Sequence, residues 1–168
     1  ISIYGPVYDG YGKPAGLLTV GIREGLITYV GGEARRGSTH IDATNLAVSP
    51  GFIDVHTHSD VSLLLDGRGE SKVFQGVTTE VTVYFSLSSF PINPNVWGLH
   101  RDFLAGSGDN AIDLSWVDVA GYREAAHRLG IAINIAPLVG HGTLRIAAMG
   151  MSEELATVAD QSRMDELL

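Results

Sequence analysis

His56 and His58 flank Thr57 at the end of the run Phe52-Ile53-Asp54-Val55, and this pair is the strongest candidate for chemistry in the chain. Side chains two apart in an extended segment project to the same face. Two imidazoles can therefore meet one cation, and zinc takes histidine nitrogen at about 2.0–2.1 Å. A bare H-x-H also occurs as two ordinary histidines at a strand end. The preceding Pro50-Gly51-Phe52-Ile53-Asp54 favours a ligand pair, because sites in parallel α/β proteins lie at the carboxyl ends of strands. Asp54 and Asp60 stand on either side and can orient a ligating ring, or cap and solvate the strand end.

A second group sits in Val139-Gly140-His141-Gly142-Thr143, where the glycines permit close backbone approach. His141 reads as a pocket histidine, a hydrogen-bond donor or an outer partner of a metal ligand, or as a loop histidine bonded to backbone. Arg145 can fork onto a carboxylate, or sit at the surface or the start of a helix. Glu80 lies within a β-branched run and is either buried and paired or turned to a polar layer. His40, His100 and His127 have no partners in the sequence. There is no G-x-S-x-G, P-loop or dinucleotide fingerprint, so serine hydrolase, nucleotidase and Rossmann readings have no support.

The elements that must place these residues divide at about position 47. Residues 17–22 and 26–30 are apolar runs around the turn Arg23-Glu24-Gly25, which is expected as a three-residue hairpin loop with glycine last. Nothing in residues 1–46 has helical periodicity. Beyond it, 52–56 reads as a buried strand, 61–75 as loop and helix, and 77–83 as a strand. Residues 86–95 have loop composition, 118–129 helical spacing stopped by Gly130, and 131–139 the character of a strand. Ser152 reads as the cap of a last helix through Leu155, Val158 and Met164. Strands alternating with helices predict βαβ units and a parallel sheet. Alternation alone fits a barrel or an open sheet. The predicted class is α/β, with a small β domain over 1–47 and three β/α units over 48–168.

Composition narrows the function. Of 168 residues 45% are hydrophobic and 18% charged, the balance of a packed globular protein. Net charge is −8 with no basic run longer than Arg35-Arg36, which argues against nucleic acid and anionic membranes as partners. No apolar run approaches the roughly 18 residues of a bilayer span. The absence of cysteine excludes disulfides and makes a cytoplasmic location the default expectation. The start at Ile1, without Met or a basic leader, suggests a chain processed, trimmed or begun elsewhere.

The segment from Val48-Ser49-Pro50-Gly51 through His56-Thr57-His58-Ser59-Asp60 resembles the amidohydrolase superfamily. More narrowly, Glu70 to Val81, containing Gly76-Val77-Thr78-Thr79-Glu80, and Ala136 to Arg145, containing Gly140-His141-Gly142-Thr143, are similar to the N-acyl-D-amino-acid deacylases. That resemblance implies a (β/α)8 TIM-type barrel with a small β domain. It also implies one or two Zn(2+) ions held in part by His56 and His58, with His141, Asp60 and Arg145 as substrate or outer-sphere residues. The implied reaction is zinc-assisted hydrolysis of a linear amide, with an N-acyl amino acid as the small-molecule substrate. Two departures follow. The family commonly has Gly-Asn-Cys-Gly after the second strand, its cysteine a ligand; here the stretch is Val83-Tyr84-Phe85-Ser86, and phenylalanine cannot bind zinc. A barrel also needs about 200–250 residues or more, whereas about 120 follow position 48. The chain alone is therefore expected to be inactive. The rest of the barrel is expected from a longer chain or a partner, and uncovered strand edges point to an oligomer. The competing readings are a non-catalytic scaffold with a degenerate fold, favoured by Phe85, and a cyclic-amide hydrolase of the dihydroorotase type.

Overall fold

The computed structural model describes residues 1–83, 86–105 and 115–168 and forms two compact units, Ile1–Gly51 and Phe52–Leu168. The first unit is a four-stranded sheet in the order β3-β2-β1-β4, from β1 (Ser2–Val7), β2 (Gly16–Arg23), β3 (Leu26–Gly31) and β4 (His40–Asp42). β1 runs antiparallel to β2 and parallel to β4. The β2–β3 loop is tighter than the expected three residues. Arg23 pairs directly with Leu26, leaving Glu24 and Gly25, both with left-handed φ (53° and 77°), as a two-residue turn. That conformation matches the twist of the flanking strands.

The second unit begins with β5 (Phe52–Thr57), followed by α1 (Ser62–Leu65) and α2 (Glu70–Val73), then β6 (Val77–Thr82). A 3₁₀ turn (Pro94–Val96) leads into α3 (Trp97–Leu104). The remaining elements are α4 (Val119–Leu129), β7 (Asn134–Pro137), α5 (His141–Met149) and α6 (Val158–Glu166). β5, β6 and β7 form a wholly parallel sheet in sequence order, with β6 central. Each crossover carries helices, α1 and α2 between β5 and β6, and α3 and α4 between β6 and β7, as parallel connections require. Among the described residues no helix is long and apolar enough to cross a membrane.

α4 packs its Tyr122, Ala125 and Ala126 into the core, where Tyr122 meets Trp116 edge-on (centroids 5.5 Å) and Phe90 at 5.4 Å. Asp118 caps the helix by accepting the Gly121 N–H, and Gly130 ends it with φ 72°. Val119 and Leu129, at the two ends of the helix, are exposed.

Three expected boundaries shift for physical reasons. The strand expected over 131–139 forms only as Asn134–Pro137, because β6, its one strand neighbour among the described residues, itself ends at Thr82, whose carbonyl takes the Leu138 N–H at 3.1 Å. The segment containing His141 and Arg145 is not a loop but α5. The last helix begins after Thr157 rather than Ser152. Thr157 and Asp160 form a reciprocal capping box, while the Ser152 and Glu154 carbonyls are taken by Arg145.

Candidate metal centre

β5 does not pair evenly with β6. Asp54 sits opposite Glu80 and Thr57 opposite Thr82, so β5 has two residues, Val55 and His56, where β6 has one. This is a β-bulge, a local irregularity that re-aims side chains. Plain alternation puts Asp54 on the same face as His56; the extra residue instead groups Asp54 with Thr57 and Ser59, the residues that meet Glu80 and its partner Lys72. His56 and His58 are exposed at the carboxyl end of β5, their rings 6.0 Å apart and inclined at 61°. Both rings carry nitrogen donors of the kind zinc takes. The pair fits as two donors. Among the described residues no group of three or more His, Cys, Asp or Glu converges on a common point, and Phe85, where a family ligand is expected, lies outside those residues. Among the described residues the donor set is therefore two imidazole nitrogens.

Behind the pair, Glu80 is fully buried. Its Oε2 accepts from the Thr57 hydroxyl at 3.2 Å and from Ser59 Oγ in a short contact, and its Oε1 lies 3.4 Å from Lys72 Nζ. Lys72, on α2, also reaches Asp54 Oδ2 at 2.6 Å, and Asp54 Oδ1 accepts the His56 N–H at 3.2 Å. The Asp54 contact holds the Lys72 ammonium above its ordinary value despite partial burial, and the same contact lowers Asp54.

The remaining sequence candidates are dispersed. Asp60 is buried, accepting from Ser89 Oγ, while its backbone carbonyl receives the Tyr122 hydroxyl at 2.8 Å. Burial above all, then the Asp60 and Glu80 charges, pushes that phenol well up. His141 is exposed as the first residue of α5. Arg145 Nη2 donates to the carbonyls of Ser152 (2.9 Å) and Glu154 (2.5 Å), which ties α5 to the segment before α6.

The glycines around His141 have a clear structural role. A Cβ on Gly140 would lie 2.4 Å from the Ser86 carbonyl oxygen, and one on Gly142 2.9 Å from it. The Thr143 hydroxyl accepts the Ser88 N–H (2.9 Å) and donates to the Ser88 carbonyl (3.1 Å), while Ser88 Oγ accepts the Gly140 N–H (3.0 Å). Gly140-His141-Gly142-Thr143 is thus a clasp gripping the segment that leaves β6. Val83 and Ser86, on either side of residues 84 and 85, have φ of 80° and 72°. A left-handed β-branched valine is a strained conformation, and such strain clusters at functional sites.

The sequence model of the amidohydrolase family matches residues 39–168. This chain belongs to the amidohydrolase family. Among curated relatives, this amidohydrolase is 37% identical over 161 residues to an N-acyl-D-aspartate deacylase of Alcaligenes xylosoxydans xylosoxydans, covering 95% of this chain and 32% of that protein. It is also 33% identical to a D-aminoacylase of the same organism, over 97% of this chain and 33% of the relative. Among solved structures, the N-acyl-D-glutamate deacylase of Bordetella bronchiseptica, complexed with zinc and a phosphonate mimic of the tetrahedral intermediate, superposes with TM-score 0.84 at 32% identity. That match covers 99% of this chain and 35% of the other. A D-aminoacylase studied for its binuclear metal centre gives TM-score 0.82 at 34% identity, with the same coverages. The amidohydrolase chain thus spans about a third of the length of the relatives it matches.

Sequence reasoning missed three participants. Lys72 had no visible signal, since its partners are 18 and 8 residues away and meet it only through the bulge. Thr143 was visible as part of a glycine-flanked motif, but its partner segment was not. His100, left without a partner in the sequence, is fully buried with Nε2 accepting the Asn93 N–H at 3.2 Å.

Proposed function

We propose that this chain forms the first three β/α units of a (β/α)8 barrel preceded by its small β domain. In the complete protein or assembly it supplies His56 and His58 to a zinc centre that deacylates N-acyl-D-amino acids. The observation that supports this reading most is the placement of the H-x-H at the carboxyl end of a parallel strand, in a chain that superposes on a zinc-bound deacylase at TM-score 0.84. A zinc ion held there supplies a Lewis acid and an acidified water. What the chain itself supplies is narrower: two imidazoles on a strand end whose Thr57, Ser59 and His56 N–H are hydrogen-bonded from behind, beside a clasped segment at the exit of β6.

A catalytic zinc generally needs three protein ligands and an open position, and this chain offers two described candidates. The 168-residue chain alone is accordingly inactive, and further strands complete the barrel. Among the described residues β5 and β7 each pair only with β6, and Phe52, Ile53 and Val55 are all more than half exposed, which supports a covering partner or chain extension. A non-catalytic scaffold is the second reading, favoured by Phe85 in the position where the family resemblance expects a ligand. The test is zinc content and deacylation of N-acyl-D-amino acids by the completed barrel, with residues 1–168 alone as control. Zinc-dependent turnover by the control contradicts the claim of inactivity; no zinc in the completed barrel supports the scaffold.

A further inference from the structure

The side chain that best accounts for how the H-x-H is held is one to which the proposed function assigns no role. Glu80 is a fully buried carboxylate, a costly group to place in a protein interior unless it is paired and hydrogen-bonded. Its partners are not scattered. Thr57 lies between the two histidines, Ser59 directly follows the second, and Lys72 links Glu80 to Asp54, which in turn receives the His56 N–H. Every contact in the set except the Lys72–Glu80 pair ends on residues 54–59, across the bulge between Asp54 and Thr57.

We infer that Glu80 is a positioning residue for the His56–His58 pair. With the half-buried Lys72 and Asp54 it forms a brace, anchored on the one buried carboxylate, that fixes the β5 bulge and so directs both imidazoles to the open side of the strand end. The inference rests on the pair being a metal site. The physical logic is alternation: Thr57 and Ser59 turned towards Glu80 leave His56 and His58 on the opposite face. The hydroxyls of residues 57 and 59 also meet each other at 2.9 Å, but without the carboxylate nothing in the set ties that pair to β6. The strand end can then relax to regular pairing, which returns Asp54 and His56 to one face.

The test uses the 168-residue chain with copper(II) iminodiacetate, a probe whose free coordination positions favour two neighbouring imidazoles. Wild type binds, and His56→Ala binds about 10-fold more weakly or worse. Glu80→Ala is expected to lose about 10-fold or more in affinity, the scale of outer-shell effects on metal sites. Glu80→Gln, which still offers an oxygen to both hydroxyls, lowers the melting temperature by removing the pairing with Lys72 yet keeps most of the affinity. A second readout needs no metal: the imidazole ring-proton shifts of His56 and His58 move in Glu80→Ala. Wild-type affinity and unmoved ring shifts in Glu80→Ala overturn the inference. If that variant does not fold, Ser59→Ala decides by the same two readouts, with reduced affinity and moved shifts expected. If wild type binds the probe no better than His56→Ala, the metal reading fails and the ring shifts alone judge the brace.

Discussion

Replacing Gly140 by alanine tests the clasp at its tightest point. Gly140 has φ −85° and ψ 129°, an ordinary extended conformation, so alanine costs nothing there in backbone torsion. The cost is steric. The new Cβ would stand 2.4 Å from the Ser86 carbonyl oxygen, 2.5 Å from its carbon and 2.9 Å from the Leu87 nitrogen. All three are backbone atoms, so no side chain can rotate away, and the segments must separate by about 1 Å to reach van der Waals distance. That movement stretches the Gly140 N–H to Ser88 Oγ bond and both bonds of the Thr143 hydroxyl to Ser88. Overpacking of this kind costs about 1–3 kcal/mol, and weakening buried hydrogen bonds puts the expected loss at the upper end, about 3 kcal/mol. With a urea m-value of about 2 kcal/mol/M, the midpoint falls by about 1.5 M. Gly98→Ala is the matched control, since α3 presents that position to open space, and it should stabilise by about 0.5–1 kcal/mol. A Gly140→Ala midpoint equal to wild type refutes the close approach and the clasp with it.

Other outcomes follow from the same geometry. Thr143→Val leaves the buried Ser88 N–H without its acceptor and should cost about 1–3 kcal/mol in urea unfolding. Ser86→Gly, at an exposed residue with φ 72°, should raise stability by about 1 kcal/mol in the same assay; a loss contradicts the left-handed conformation. Burial holds the His100 imidazole below its ordinary value, so the unfolded chain binds a proton that the folded chain does not. Stability is complete above about pH 6.5 and declines as pH falls, by up to about 1.4 kcal/mol per pH unit, and His100→Gln should flatten that slope in pH-dependent melting.

The sequence revealed what local chemistry dictates. The β-branched run at 77–83, which forms β6, and the helical spacing of 118–129 with its glycine stop depend on neighbouring residues, as does the hairpin turn at 23–25, which proved one residue tighter than expected. The H-x-H was legible as a spacing, but its aim was not, because the bulge arises from pairing with β6 and leaves no mark in β5 itself. Glu80 was left open between two environments since its partners come from β5 and α2. α5 was hidden because glycine, which disfavours helices, occupies its second position for the sake of contact with Ser86. The last helix was misplaced by one plausible cap, Ser152, in competition with a better one at Thr157, where the reciprocal Asp160 settles the start.

The central claim is that this chain supplies two ligands to a zinc centre of the amidohydrolase type. Its most direct test is the zinc stoichiometry of the completed barrel, wild type against the double variant His56→Ala and His58→Ala. The account predicts at least one zinc per chain in wild type, lost from the folded double variant. Equal zinc in both proteins, or none in wild type, contradicts it.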